Sequence, residues 1–286
     1  MSTTPDPDAV ASLARELIAS FYGTQDQELS SRTQVHGKRT DPGLPPTVWA
    51  LVAHAHHLAT PALDLLEAGL DLAGAPLVRG IYEAAITAQW VINIPSAVEG
   101  INHEHLRQLS NLMKKVDGAG WFGGTPVTGL TGPEKAMLNA RPAVTSRNFE
   151  QICNDLLPGG DQAYLLYKAL SSQTHVGAHV LNRYLSVAPS GDRLAVHIHP
   201  QPEEGASWIY LLATSLVWAG GALDWIDTTQ SRKRQLDAAG KTLQIARNLA
   251  PHPQAWVRET RNQRASRHRL RGRAANAPMG PEPHDA

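Results

Sequence analysis

Three observations predict an all-α fold, a helical bundle with a small β-hairpin insertion near residues 185–199. Apolar residues recur at spacings of three and four through most of the chain, Pro and Gly fall where such stretches should begin and end, and a single segment alternates with period two. That segment, "RYLSVAPSGDRLAVHIHP", holds two short runs around "PSGD", with Leu194, Val196 and Ile198 alternating with Ala195, His197 and His199.

Taken in order, Val10–Phe21 is the first periodic stretch, and Thr47–Leu72 follows behind Gly43, Pro45 and Pro46. Ala75–Ile94 starts after Gly74, carries Pro76 in its first turn and stops before Pro95. Val98–Val116 leads into the loop "DGAGWFGGTPVTGLTG", where Trp121 and Phe122 are available to cover a surface. Thr131 opens a short helix with Glu134 three residues on, a capping-box spacing. Helices are then expected over Ser146–Leu157 and Asp161–Tyr184, separated by "PGG", and after the hairpin over Glu203–Thr228 and Arg232–Leu249. The organisation read from this is an N-terminal helix and flexible linker (1–40), a bundle (41–250) and a basic, then Pro-rich tail (251–286) expected to be disordered.

Composition narrows the function classes. With 42% hydrophobic and 18% charged residues the chain reads as globular. Net charge is zero but uneven, since Arg258–Arg273 holds seven Arg against one Glu. Any preference for nucleic acid or an acidic partner therefore belongs to the tail, where Arg261, Arg264 and Arg267 recur every third residue. No aromatic follows Trp256, so base stacking is not indicated. Cys153 is the sole cysteine, which excludes an intrachain disulfide and fits the cytoplasm. The start has acidic residues and prolines where a signal peptide needs basic residues and an apolar run, so export by that route is not expected. Residues 206–223 lack charge over a length that could cross a membrane, but the run contains Ser207, Tyr210, Thr214, Ser215, Gly220 and Gly221, and a buried core helix is expected instead.

The polar residues that ask for chemistry lie on two helices. In "PLVRGIYEAAITAQWVI", Arg79 and Glu83 are spaced i, i+4 and can pair, on a helix apolar nearly all round that should lie inside the bundle. One intrahelical pair cannot satisfy a guanidinium and a carboxylate taken out of water, so partners must come from elsewhere. "YLLYKALSSQTHVGAHVLNRYL" offers an uncharged polar stripe, Tyr164, Tyr167, Ser171, Thr174, His175 and Asn182, with Tyr167, Ser171 and His175 on one line at i, i+4, i+8. These five residues, Arg79, Glu83, Tyr167, Ser171 and His175, are the candidate cluster.

R-x-x-Y-E followed some ninety residues later by Y-x-x-L-S-x-x-x-H resembles a bacterial all-helical family known as a domain of unknown function, and through it the HEPN helical bundles of toxin, defence and stress systems. The resemblance spans about residues 45–230. It implies a bundle marked by those five residues and supplies no reaction.

Two functions follow as expectations. The first is a non-enzymatic or ligand-sensing helical module whose cluster is structural or lines a pocket. The second is a HEPN-like ribonuclease or nucleic-acid-directed enzyme, with His175 as acid or base and Arg79 on the phosphate. HEPN nucleases place Arg and His four to six residues apart on one helix; "RNQRASRH" matches in spelling only within the Arg-rich tail, and "RLAVH" is too short. A Ser171–His175–Glu83 triad lacks a G-x-S-x-G elbow. His175 and His179 share a helix turn, and further His lie at 54, 56, 57, 103 and 105, but Val176 stands where a zincin needs Glu. No metal or cofactor is expected. A homo-oligomer is a candidate assembly.

Overall fold

The computed structural model describes residues 6–23, 41–119, 129–140, 142, 144–187, 194–201, 206–261 and 264. The helices in chain order are α1 (Pro7–Gly23), α2 (Leu44–Glu67), α3 (Asp71–Asn93), α4 (Ala97–Ala119), α5 (Gly132–Asn139), α6 (Phe149–Asn154), α7 (Gly160–Thr174), α8 (Ala178–Asn182), α9 (Ala206–Ile226) and α10 (Lys233–Thr242). Residues 253–261 are also helical. Among the described residues, four short strands, β1 (Leu156–Leu157), β2 (Leu185–Val187), β3 (Leu194–Val196) and β4 (Ala250–Pro251), form two antiparallel pairs, β1 with β4 and β2 with β3. The chain is all-α with a small hairpin, as its periodicity predicts.

Two compact units divide the described residues, one within Met1–Pro95 and Asn148–His252, the other within Ser96–Arg147 and Pro253–Ala286. The first is built round α3, which packs on α2, α9, α7 and α6. Its buried side runs Ala75, Val78, Ile81, Tyr82, Ala85, Ile86, Ala88, Gln89, Trp90. The turn from α2 to α3 is a Schellman motif: Gly69 at φ 72° lets its own N–H reach Leu66 and the Leu70 N–H reach Leu65, closing the last carbonyls of α2. Gly74, expected to precede α3, lies within it, where an added Cβ would come to 3.2 Å of the Leu66 side chain. It allows α2 and α3 to cross closely.

The long uncharged run becomes α9, most of which is buried, packed on α1, α2 and α3. It is the one described helix whose length and composition would suit a membrane span. Its seat is the core of the unit.

The helix expected over Thr47–Leu72 ends at Glu67, ahead of Gly69, and three further expected helices are shorter than periodicity suggests, each for a tertiary or local reason. Ser146–Leu157 reduces to α6, capped by the Asn148 side chain on the Glu150 N–H, because Leu156 and Leu157 pair with Pro251 and Ala250 ahead of Pro158. Asp161–Tyr184 breaks after Thr174. Ser171, Ser172 and Thr174 turn their hydroxyls onto the carbonyls of Tyr167, Ala169 and Ser171, and the break precedes Gly177. Arg232–Leu249 ends at Thr242 in a second Schellman closure with Gln244 at φ 56°. The hairpin is present in register Leu185 to Val196, but Leu194, Val196 and Ile198 face solvent.

In the second unit the Thr131–Glu134 capping box forms as its spacing predicts. Residues 253–261, expected to belong to a disordered tail, are instead a helix anchored by buried Glu259, whose carboxylate accepts from the Ser96 N–H and hydroxyl at 2.8 Å each, just ahead of α4.

Candidate functional site

Arg79 and Glu83 meet α7 and its C-cap, His175. The guanidinium Nε donates to Glu83 Oε1 at 2.9 Å, Nη2 to the Tyr167 hydroxyl at 2.9 Å, and Nη1 both to Thr174 Oγ1 at 3.0 Å and to His175 Nε2 at 3.2 Å. It also stands 5.0 Å from the centre of the Tyr167 ring. Four of five N–H groups are thereby directed at named partners. Burial works against the charge on Arg79, but the hydrogen bond and charge of Glu83 outweigh it, with help from Tyr167, so its pKa is raised.

Of the line Tyr167, Ser171, His175, the structure brings the first and last to Arg79. Ser171 donates to the Tyr167 carbonyl at 2.8 Å, and Thr174 presents the hydroxyl that Arg79 meets. Seven residues fall about 20° short of two full turns, whereas four overshoot one turn by about 40°, so Thr174 lies more nearly below Tyr167 than Ser171 does. The expectation of buried charge is corrected: the Arg79 and Glu83 side chains keep 23% and 37% of their surface, and His175 is exposed. α3 carries a half-buried stripe at Leu77, Arg79, Gly80, Glu83 and Thr87, and the network sits along it.

Behind the network the aromatic packing continues inward. Tyr167 lies 4.6 Å from Phe149 and 5.9 Å from Tyr164, and Phe149 approaches the buried Tyr82 ring edge-on. Tyr82 donates to the Ala163 carbonyl at 2.9 Å, a second tie between α3 and α7. Burial raises the Tyr82 phenol pKa, and it stays neutral.

On the far side of Tyr82 lies a cavity of about 400 Å³. Ala163, Leu166 and Ala169 of α7 form one wall; Tyr82 and Ile86 of α3, Cys153 of α6, and Trp208, Leu211, Thr214 and Trp218 of α9 form others. Among the described residues, no Asp, Glu, Lys, Arg or His lines it. Burial pushes the Cys153 thiol up to about 12, leaving it protonated and unreactive. The polar atoms of the wall mostly have partners. Tyr210 donates to the Leu243 carbonyl, Trp218 Nε1 to Ala246 at 3.0 Å and Tyr82 to Ala163. Thr214 is 3% exposed, and its buried Oγ1 makes no hydrogen bond within the protein.

The remaining candidates are dispersed. His175 and His179 are exposed, and His103 meets the Leu138 carbonyl. His56 is buried and stacked 3.9 Å from Phe21. Among the described residues no three His, Cys, Asp or Glu gather as a metal site. Arg261 and Arg264 are exposed; Arg267, Trp121 and Phe122 lie outside the described residues.

The five-residue cluster left out Thr174 of the stripe, and sequence reasoning missed two groups altogether: the buried Asp155 that accepts from Trp90 Nε1 at 3.0 Å, and the cavity with Thr214. Helical spacing could have placed Thr174 in the cluster.

The site thus has two parts, a half-exposed polar network and an uncharged aromatic-walled cavity, with α7 between them. Compared with protein-family models, curated proteins and solved structures, the chain matches none.

Proposed function

We propose that this protein is a non-enzymatic, small-molecule-binding helical module, with the cavity behind α7 as its binding site. The observation that carries the reading is a cavity of about 400 Å³ with no charged wall residue among the described residues, of the size and character that small-molecule sites have. The Arg79 network then acts as a latch. Its donors are already committed to Glu83, Tyr167, Thr174 and His175, so it fixes one wall of the pocket and leaves little to offer a phosphate.

The test is a titration with N-phenylnaphthylamine, a neutral dye that brightens in apolar surroundings. Saturable brightening is expected in the wild type, with loss in Ala169→Trp, which fills the pocket from α7. Brightening that never saturates, or that survives unchanged in Ala169→Trp, would overturn the assignment.

The HEPN-like reading has one supporting observation, an exposed His175 at 3.2 Å from Arg79. Cleavage of RNA by the purified protein, abolished in His175→Ala, would replace the first reading with this one. The family resemblance, a bacterial source and nucleic-acid binding through the Arg261 and Arg264 stretch belong to the same proposal. A lone buried thiol at Cys153 supports a reducing, cytoplasmic setting.

A further inference from the structure

After α10 the chain turns sharply over Leu243–Ala246, and the turn is tied on two sides. Toward α10, the Gln244 N–H donates to the Lys241 carbonyl at 3.2 Å and the Ile245 N–H to the Gly240 carbonyl at 2.9 Å. The turn lies so close there that a Cβ at Gly240 would come to 2.9 Å of the Ile245 carbonyl oxygen. Toward α9, the ties come from the cavity wall itself. Tyr210 donates its hydroxyl to the Leu243 carbonyl, and Trp218 its indole N–H to the Ala246 carbonyl at 3.0 Å. Ile245, half-buried and part of the same wall, is therefore held between two clamped residues. A side chain on a loose loop steps aside for a bulky ligand, whereas one on a clamped turn can only clash with it. The clamp also decides what the two rings offer. With their polar ends engaged by backbone carbonyls, Tyr210 and Trp218 present ring surface, which suits a flat apolar group. An ion entering beside them would shed its water and meet no opposite charge among the described wall residues.

We infer that the cavity takes an uncharged, flat, apolar ring compound, and that Ile245 on its clamped turn sets the largest ring system admitted. The inference rests on the cavity being the binding site. It goes beyond that in naming the ligand class and the residue that sets ligand size.

The experiment is displacement of N-phenylnaphthylamine by naphthalene, by the larger phenanthrene and by naphthalenesulfonate. In the wild type naphthalene should displace the dye, and naphthalenesulfonate, the same rings with a charge, should not. Ile245→Ala removes bulk and should raise the affinity ratio of phenanthrene to naphthalene about tenfold, the scale on which a tight apolar pocket separates ligands that differ by a carbon or two. Ile245→Phe adds bulk and should lower that ratio by a similar factor. Ile198→Ala, at an exposed hairpin position, should retain the wild-type ratio. If the wild type fails to bind the dye saturably, the cavity reading falls and this inference falls with it. If dye and naphthalene bind but naphthalenesulfonate competes as well as naphthalene, the inference alone is overturned. The same holds if the ratio is unmoved in either Ile245 variant, or moves as far in Ile198→Ala. The two Ile245 variants change bulk in opposite directions and the sulfonate arm needs neither, so the result stands even where one of them folds poorly.

Discussion

Single side chains separate the two halves of the site. Thr214→Val in the ligand-free protein replaces an unpartnered buried hydroxyl with a methyl, and a gain of about 1 kcal/mol is expected, read as an upward shift of the urea midpoint. Arg79 behaves in the opposite sense. Arg79→Met keeps the aliphatic stem but removes four hydrogen bonds. Because the ion pair is part-exposed and screened, the loss expected is only about 1–2 kcal/mol. It should appear as faster amide exchange in α7, with α2 unchanged. Equal exchange throughout would show that Arg79 is not a latch. The i, i+4 pair was readable from the spelling, as was the partner helix, because an uncharged polar stripe on one helix and two charges on an apolar one each lack a counterpart. Which hydroxyl of the stripe made the contact was decided by a difference of about 60° in helical phase and by Ser171 bonding back to its own helix.

Elements show where local signals suffice. The Thr131–Glu134 box opens α5 where spelling places it, since its cap bonds involve residues within one turn, whereas Gly69 ends α2 at Glu67, short of the Leu72 that periodicity suggests. Gln244 shows the other case. It occupies the left-handed position at the end of α10, where glycine is the easy residue, and the next residue, Ile245, lines the cavity. The chain stops this helix without the usual residue. Gln244→Gly should therefore raise stability by about 1 kcal/mol, measured as a rise of a few degrees in Tm. A fall would mean that the Gln side chain contributes more than the strained backbone costs. The hairpin offers a different lesson. Alternation located β3, but it cannot say whether anything covers the apolar side, and here Val196 and Ile198 are exposed.

For the whole molecule, acid stability should turn on His56. Burial is the main reason its pKa falls to about 3, against 6.5 when free; its Nδ1 lies 2.8 Å from the Val52 carbonyl, and Arg232 disfavours a second positive charge nearby. Between those values the unfolded chain takes a proton that the folded chain refuses. Stability is thus complete above about 6.5 and declines as pH falls toward 3, by at most about 1.4 kcal/mol per pH unit. His56→Phe, which preserves the stack on Phe21, should flatten this slope between about pH 6.5 and 5 in denaturant titrations. An unchanged slope would assign acid sensitivity to other groups.

By itself the sequence determined the all-α class, the order of the long helices, the Thr131–Glu134 capping box and the pairing of Arg79 with the helix that carries Tyr167 and His175. The first three follow from periodicity or from residues within a turn of one another, and the last from two polar faces that each lack a local counterpart. Only the tertiary structure decided that the cluster is half-exposed, that α6 and α7 stop early, and that a cavity lies behind α7. A strand pair such as Leu157 with Ala250, or a void walled by α3, α7 and α9, depends on how surfaces distant in sequence fit. Packing sets that fit. No local pattern records the space that packing leaves unfilled.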